Sequence, residues 1–159
     1  MPGSGKSTVG AYLASMLNMD FIDTDNMIRN VEKKELKDIV NDKGRDHFLK
    51  IQENIITGLE LENSIVATGG SVVYSEKLMG HLKKNGVIIY LKHDIKELAE
   101  RMGTGRRLAR DREQSITDIY NERLPLYNKY ADIIIDCNGK GVGPIAEEIA
   151  GRVGLKTGR

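Results

Sequence analysis

Apolar positions recur along this chain in short blocks that switch between helical and strand-like spacing. From Lys6 to about Leu17, the residues Val9, Tyr12, Leu13, Met16 and Leu17 recur at helical intervals, which predicts an amphipathic helix closed by Asn18. Phe21-Ile22 then forms a brief strand delivering Asp23-Thr24-Asp25 at its C-terminal edge, with Thr24 or Asp25 expected to cap the next helix. Residues 26–60 read as helical in two or three pieces broken at Gly44. The first pieces set Leu36, Ile39 and Val40 on one side of a charged run, and the last carries Phe48, Ile51, Ile55 and Leu59 inward. Residues 64–68 have the composition of a buried strand and end at Gly69-Gly70. A helix is expected over 75–84, stopped by Asn85-Gly86, and 87–91 is the most continuous β segment. Residues 94–102 read as helix, 131–136 as the last strand and 143–153 as the last helix, with Pro144 in its first turn.

Strands that alternate with helices and lack an inner polar alternation predict an α/β fold with a parallel sheet covered on both faces. In such sheets ligands bind at the C-terminal ends of the strands. The segment from Gly3 to Ser7, the Asp23/Asp25 pair and Gly69/Gly70 all fall at such ends.

Length and charge narrow the classes. At 159 residues a single domain spanning 1–159 is expected. A formal net charge of +1 argues against a nucleic-acid or membrane-surface partner, which calls for a broad basic excess. One cysteine, Cys137, excludes an intramolecular disulfide framework and fits a reducing compartment. No apolar stretch approaches the roughly 20 residues of a membrane span, and the start lacks the features of a signal peptide. A soluble, cytoplasmic monomer is the expectation.

The candidate chemistry begins at Met1-Pro2-Gly3-Ser4-Gly5-Lys6-Ser7-Thr8. Gly5-Lys6-Ser7 is the closing half of the pattern G-x-x-x-x-G-K-[ST]. There, glycine-permitted backbone N–H groups cradle phosphates, the lysine reaches the β and γ phosphates and the hydroxyl meets Mg²⁺. The helix that follows turns its positive end to the same anion. The opening glycine of the pattern would fall immediately ahead of Met1, and the apolar strand that feeds such a loop is absent. Met1 is therefore read as an internal methionine of the loop, with a first strand missing through clipping or a misplaced start codon. The 159-residue chain is expected to be poorly stable, and a version extended upstream to fold and bind ATP. Arg101, Arg106, Arg107, Arg110 and Arg112 crowd among glycines. Beside a phosphate cradle they predict an arginine-rich lid over about 103–114 that neutralises a transferring phosphoryl group.

Together these residues resemble the shikimate kinase family, within the P-loop, nucleoside-monophosphate-kinase-like group. The resemblance covers nearly the whole chain. It rests on Gly-Ser-Gly-Lys-Ser-Thr at 3–8, Phe-Ile-Asp-Thr-Asp at 21–25, Ala-Thr-Gly-Gly at 67–70, the arginine-rich segment and Glu-Arg-Leu-Pro-Leu-Tyr at 122–127. It implies a three-layer P-loop kinase fold with a parallel sheet ordered 2-3-1-4-5, strand 1 being absent here, substrate-binding helices over about 26–60, and transfer of the ATP γ-phosphoryl group to the 3-hydroxyl of shikimate. On that resemblance Gly3, Ser4, Gly5, Lys6, Ser7 and Thr8 hold the nucleotide phosphates, and Ser7 and Asp23 the Mg²⁺. Asp25 orients or deprotonates the substrate hydroxyl, and Gly69 and Gly70 approach the substrate. Arg101 lies over the adenine, Arg106 meets the transferring phosphate, and Arg123 pairs with the substrate carboxylate.

Three positions depart from the family pattern. Leu49 stands where a second carboxylate-gripping arginine is usual, Ser71 replaces a third glycine, and Arg107 replaces a proline. Loss of one charged arm would cost about 1.5–3 kcal/mol, to be offset by Lys50, by Arg107 or by a different substrate. Two other readings stay open on the sequence. One is a kinase of another small hydroxylated metabolite, such as gluconate or homoserine. The other is a non-catalytic nucleotide-binding module, for which the string from Asn128 to Asp132 is a poor guanine-reading motif. His47, His81 and His93 show no ligand spacing.

Overall fold

The computed structural model describes residues 1–102 and 114–155. Helix α1 (Lys6–Leu17) starts at Gly5, whose φ of 79° only glycine adopts readily, and ends at Asn18, also left-handed at 54°. Its buried stripe is Val9, Gly10, Leu13 and Ala14, while Tyr12, predicted to face inward, is 47 % exposed. Strand β1 (Asp20–Asp23) follows. The next helix, α2 (Thr24–Glu32), is capped not by Thr24 or Asp25 but by Asp23, whose side chain accepts from the amides of Asp25 and Asn26. Helices α3 (Leu36–Lys43) and α4 (Arg45–Thr57) meet at Gly44, φ 82°. Helix α4 buries Phe48, Gln52 and Ile56, so its inner stripe sits one residue past the predicted Ile51 and Ile55.

Strand β2 (Ser64–Ala67) runs into a 3₁₀ turn (Gly70–Tyr74), then α5 (Glu76–Asn85), β3 (Ile89–Lys92) and α6 (Ile95–Met102). Helix α7 (Ile116–Tyr130) has no counterpart in the sequence reading. It opens on a reciprocal capping box between Ser115 and Asp118 and carries Pro125 in its interior. Strand β4 (Ile133–Asp136) and helix α8 (Val142–Val153) complete the chain. Residues 103–113, including Arg106, Arg107, Arg110 and Arg112 of the predicted lid, lie outside the described residues.

The strands pair in parallel as β1 with β2 and β3 with β4, giving two two-stranded sheets. Adjacent residues of β3 serve opposite faces. Tyr90 joins a cluster with Met1, Ile56, Val72, Leu78 and Tyr127, whereas Leu91 packs with Val9, Leu13, Ile135 and Ile149 between α1 and α8. Full burial of each such aliphatic side chain contributes about 1.5–3 kcal/mol. A third cluster, Ile28, Ile39, Val40 and Phe48, holds α2, α3 and α4 together.

Between the two strand pairs lies an apolar slot of about 240 Å³, lined by Ile65 and Val66 of β2 on one side and Ile89, Tyr90 and Leu91 of β3 on the other. Met1, Ser4 and Lys6 stand among its lining residues. Each strand of a two-stranded sheet pairs along one edge, so β2 and β3 turn unpaired edges to this slot. Met1 is 3 % exposed, and burial, with Lys6 and Arg123 nearby, holds its amino group well below the usual range.

Candidate active site

The residues picked out by the sequence converge on one cleft of about 620 Å³ at the C-terminal ends of β1 and β2. One wall is the phosphate-loop segment. Gly3 and Gly5 both have positive φ, 74° and 79°, where a side chain would strain the backbone. Ser4 is buried, and its hydroxyl donates to the Met1 carbonyl at 2.8 Å. Lys6 turns back onto the loop: its ammonium donates to the Met1 carbonyl at 2.6 Å and to Ser4 Oγ at 3.3 Å. Burial pulls the Lys6 ammonium down to about 8, helped by Arg123 and opposed by Asp25 and Asp23. Ser7 and Thr8, on the first turn of α1, also line the cleft.

Facing this wall, the junction of β1 and α2 presents two carboxylates with different surroundings. Asp23 is fully engaged, one oxygen capping α2 and the other accepting from Ser7 Oγ at 2.6 Å. Asp25 is held above its ordinary range by burial, with Lys6 pulling the other way, and its Oδ1 is buried without a hydrogen-bond partner. An unpartnered buried carboxylate oxygen beside an ammonium is a place for a donor hydroxyl.

The floor is Gly69 and Gly70. A Cβ on Gly69 would lie 2.6 Å from Asp25 Oδ1, and one on Gly70 would lie 3.0 Å from Tyr127 Oη and 3.1 Å from an Arg123 nitrogen. A side chain at Gly69 would have to displace Asp25, and one at Gly70 would crowd Tyr127 and Arg123. The Gly69 N–H is already taken by Thr24 Oγ1 at 3.3 Å. Behind the floor Gln52 Oε1 accepts from Ser71 Oγ at 2.8 Å. Arg123, 7 % exposed, is fixed by donation from Nε to Tyr74 Oη at 3.0 Å and lies over the Tyr74 ring, while Tyr127 Oη donates to the Gly70 carbonyl at 2.8 Å. Arg101 lines the cleft beside Gly5.

Lys50 is the exception. It is exposed on α4 and is not among the residues lining the cleft, because the inner face of that helix is taken by Phe48, Gln52 and Ile56. Besides Arg123, the cations lining the cleft on the α2–α3 side are Lys37 and Arg29, the latter one helical turn beyond Asp25 and tied to Asn26 at 2.6 Å and Glu35 at 3.3 Å. The sequence reading missed Arg29 and Gln52, and for Gln52, a single buried polar residue, no local pattern gives a signal. The spacing of Arg29 from Asp25 on one helix was the available signal for the former. Among the described residues no group of His, Cys, Asp and Glu forms a metal cluster. Ser7 and Asp23 nevertheless fit Mg²⁺, which is commonly held by one or two protein oxygens together with substrate phosphates.

Comparison with known proteins gives the family. The family model described as shikimate kinase matches residues 2–153. The curated shikimate kinase of Caldanaerobacter subterraneus subsp. tengcongensis is 33 % identical over 152 residues, 92 % of this chain and 88 % of the relative. That of Persephonella marina is 35 % identical over 154 residues, 95 % of this chain and 93 % of the relative. The fold matches shikimate kinase from Acinetobacter baumannii in complex with shikimate, with a TM-score of 0.84 and 25 % identity, over 95 % of this chain and 87 % of that one. It matches the Aquifex aeolicus shikimate kinase at a TM-score of 0.81 and 25 % identity, over 97 % and 92 % of the two chains. The chain belongs to the shikimate kinase family, phosphotransferases that use ATP to phosphorylate a hydroxyl group of shikimate.

Proposed function

We propose that this cleft performs the family's transfer in one chain, with the nucleotide on the loop wall and the acceptor between Asp25 and Arg123. Phosphoryl transfer asks mainly for alignment and charge neutralisation. Gly3, Ser4, Gly5 and Thr8 line the phosphates' seat, and Lys6 exchanges its loop oxygens for β and γ phosphate oxygens. Ser7, with Asp23 on the same side, would hold Mg²⁺, which would supply further neutralisation of phosphate charge. Asp25 accepts the hydrogen bond of the 3-hydroxyl and takes its proton as the new O–P bond forms and the bond from the γ-phosphorus to the bridging oxygen breaks. Arg123 pairs with the acceptor carboxylate, its guanidinium already oriented by Tyr74. Arg106 is the lid residue proposed to meet the transferring phosphoryl group. Every described group in this scheme belongs to one chain, so a monomer suffices.

The observation that carries the reading is the unpartnered Asp25 Oδ1 lying in the same cleft as Lys6 and the phosphate loop. It is tested by ADP release from ATP and Mg²⁺ with shikimate, gluconate or homoserine added singly, and by phosphorus NMR of the product. Turnover that requires shikimate and yields its 3-phosphate supports it. Turnover with another acceptor alone, or hydrolysis independent of any acceptor, overturns it.

A further inference from the structure

His93 closes β3 and plays no part in the scheme above, yet its imidazole has no solvent exposure and both its nitrogens are engaged. Nε2 lies 3.1 Å from the carbonyl oxygen of Ser4, inside the phosphate loop. Nδ1 lies 3.2 Å from Glu97 Oε2 on α6. The other oxygen of Glu97 accepts from Arg101 Nη2 at 2.6 Å. A second guanidinium nitrogen of Arg101, Nη1, stands 4.0 Å from the position a Cβ would take on Gly5. Tyr120 of α7 donates to the His93 carbonyl at 3.3 Å, fixing the backbone that carries the ring. The chain of contacts therefore leaves the loop at Ser4 and ends on a guanidinium that lines the cleft near Gly5.

We propose that His93 is a positioning residue that clamps the phosphate loop through Ser4 and, through Glu97, aims Arg101 at the nucleotide. Carbonyl and carboxylate oxygens only accept, so holding Ser4 and Glu97 together takes an N–H at each ring nitrogen, Nε2–H donating to Ser4 and Nδ1–H to Glu97. Glu97 then holds Arg101 by one oxygen while the ring holds Glu97 by the other, so a long flexible arginine is presented in one direction. The inference rests on the phosphate-loop reading above and adds the part that keeps the loop and Arg101 in register.

The test is isothermal titration of Mg²⁺–ATP, with initial rates, on the wild-type chain, His93→Gln, His93→Leu, Glu97→Gln, Arg101→Ala and the pair Glu97→Gln with Arg101→Ala. His93→Leu and Glu97→Gln are expected to raise KM for ATP about tenfold while the acceptor KM stays within about twofold. His93→Gln, which can still donate to Ser4, recovers part of the loss. The Glu97/Arg101 pair costs no more than Arg101→Ala alone, because Glu97 acts through Arg101. Glu97 is partly exposed, so its variant keeps the test alive if His93→Leu does not fold. Multiplying effects in the pair, or unchanged KM for ATP in both Glu97→Gln and His93→Gln, overturns the proposal. A wild-type chain that binds no nucleotide removes the reading beneath it as well, and is seen before any variant is compared.

Discussion

The Ser7 hydroxyl donates to Asp23 Oδ2 across 2.6 Å, so one carboxylate ties the first turn of α1 to the end of β1 while its other oxygen caps α2. Structural and metal-side roles therefore share a side chain, and two variants separate them. Asp23→Ala removes the cap and is expected to cost about 1 kcal/mol of stability. Asp23→Asn keeps a cap oxygen and should stay within about 0.5 kcal/mol of the parent, yet the Mg²⁺ needed for half-maximal turnover should rise at least about tenfold. An unchanged Mg²⁺ requirement in Asp23→Asn takes Asp23 off the metal side.

Lys6 ties catalysis to pH. Its ammonium, held at about 8 in the folded chain against 10.5 ordinarily, loses its charge just where a phosphate needs it. Above pH 8 the Kd for ATP is expected to rise by up to about tenfold per pH unit. Stability runs the other way. With the folded pKa below the unfolded one, the unfolded chain binds more protons in this window, so stability rises with pH from about 8. Near pH 9 Cys137, pushed up by burial to about 11, begins to oppose this, since its folded form keeps the proton longer. ATP titration and melting at about pH 7.5, 8 and 9 check both trends, with Lys6→Met as the control that abolishes them. Parallel rather than opposed trends contradict the assignment.

The acceptor end distinguishes three cations. Arg123 lies in the cleft and is buried, Arg29 lines it, and Lys50 does not. Arg123→Lys, which cannot repeat the planar fork, is expected to raise the acceptor KM at least about tenfold with little change in KM for ATP. Arg29→Ala should raise it about threefold and Lys50→Ala less than about twofold. A large effect of Lys50→Ala restores the compensation expected from the sequence.

Gly69 has an ordinary φ of −58°, so its requirement is purely one of space. In Gly69→Ala the new methyl meets Asp25 Oδ1 at 2.6 Å and must displace that carboxylate. Turnover is expected to fall about a hundredfold or more from such a misplacement, whereas ATP binding, which uses the opposite wall, stays within about twofold of the parent. Equal loss of ATP binding indicates a collapsed cleft rather than a displaced Asp25.

The parts legible in the sequence were those whose chemistry is local. Gly3, Gly5 and Gly44 announced themselves because a positive φ favours glycine, and Asp23 and Asp25 stood together at the end of an apolar pair. Helix α7 went unread although Ile116, Ile119, Tyr120, Arg123, Tyr127 and Tyr130 follow helical spacing behind a Ser-x-x-Asp start; the interior Pro125 and a charged residue on the buried face disguised the stripe. The inward turn of Arg123, the exposure of Tyr12 and the shift of the α4 stripe to Gln52 and Ile56 are decided by neighbours far along the chain. So is the absence of Lys50 from the cleft.

The slot between β2 and β3 sets the last expectation. Residues 65–67 and 90–91 make no backbone hydrogen bonds among the described residues beyond the ladders to β1 and β4. Their free edges face apolar side chains, where an unpaired peptide group costs about 1–3 kcal/mol. The Met1 nitrogen, buried near Lys6 and Arg123, lies where a positive charge is disfavoured and an amide is not. A strand ending at Met1 would reach the phosphate loop at the C-terminal ends of its neighbours and so run parallel to both. Joining an extended apolar segment of β-branched residues to Met1 is therefore expected to raise Tm by about 10 °C or more and to tighten ATP binding. A matched extension with alternating lysines, unable to enter the slot, should do neither. Equal melting temperatures for the apolar-extended and original chains would mean that the slot is already satisfied by its own side chains.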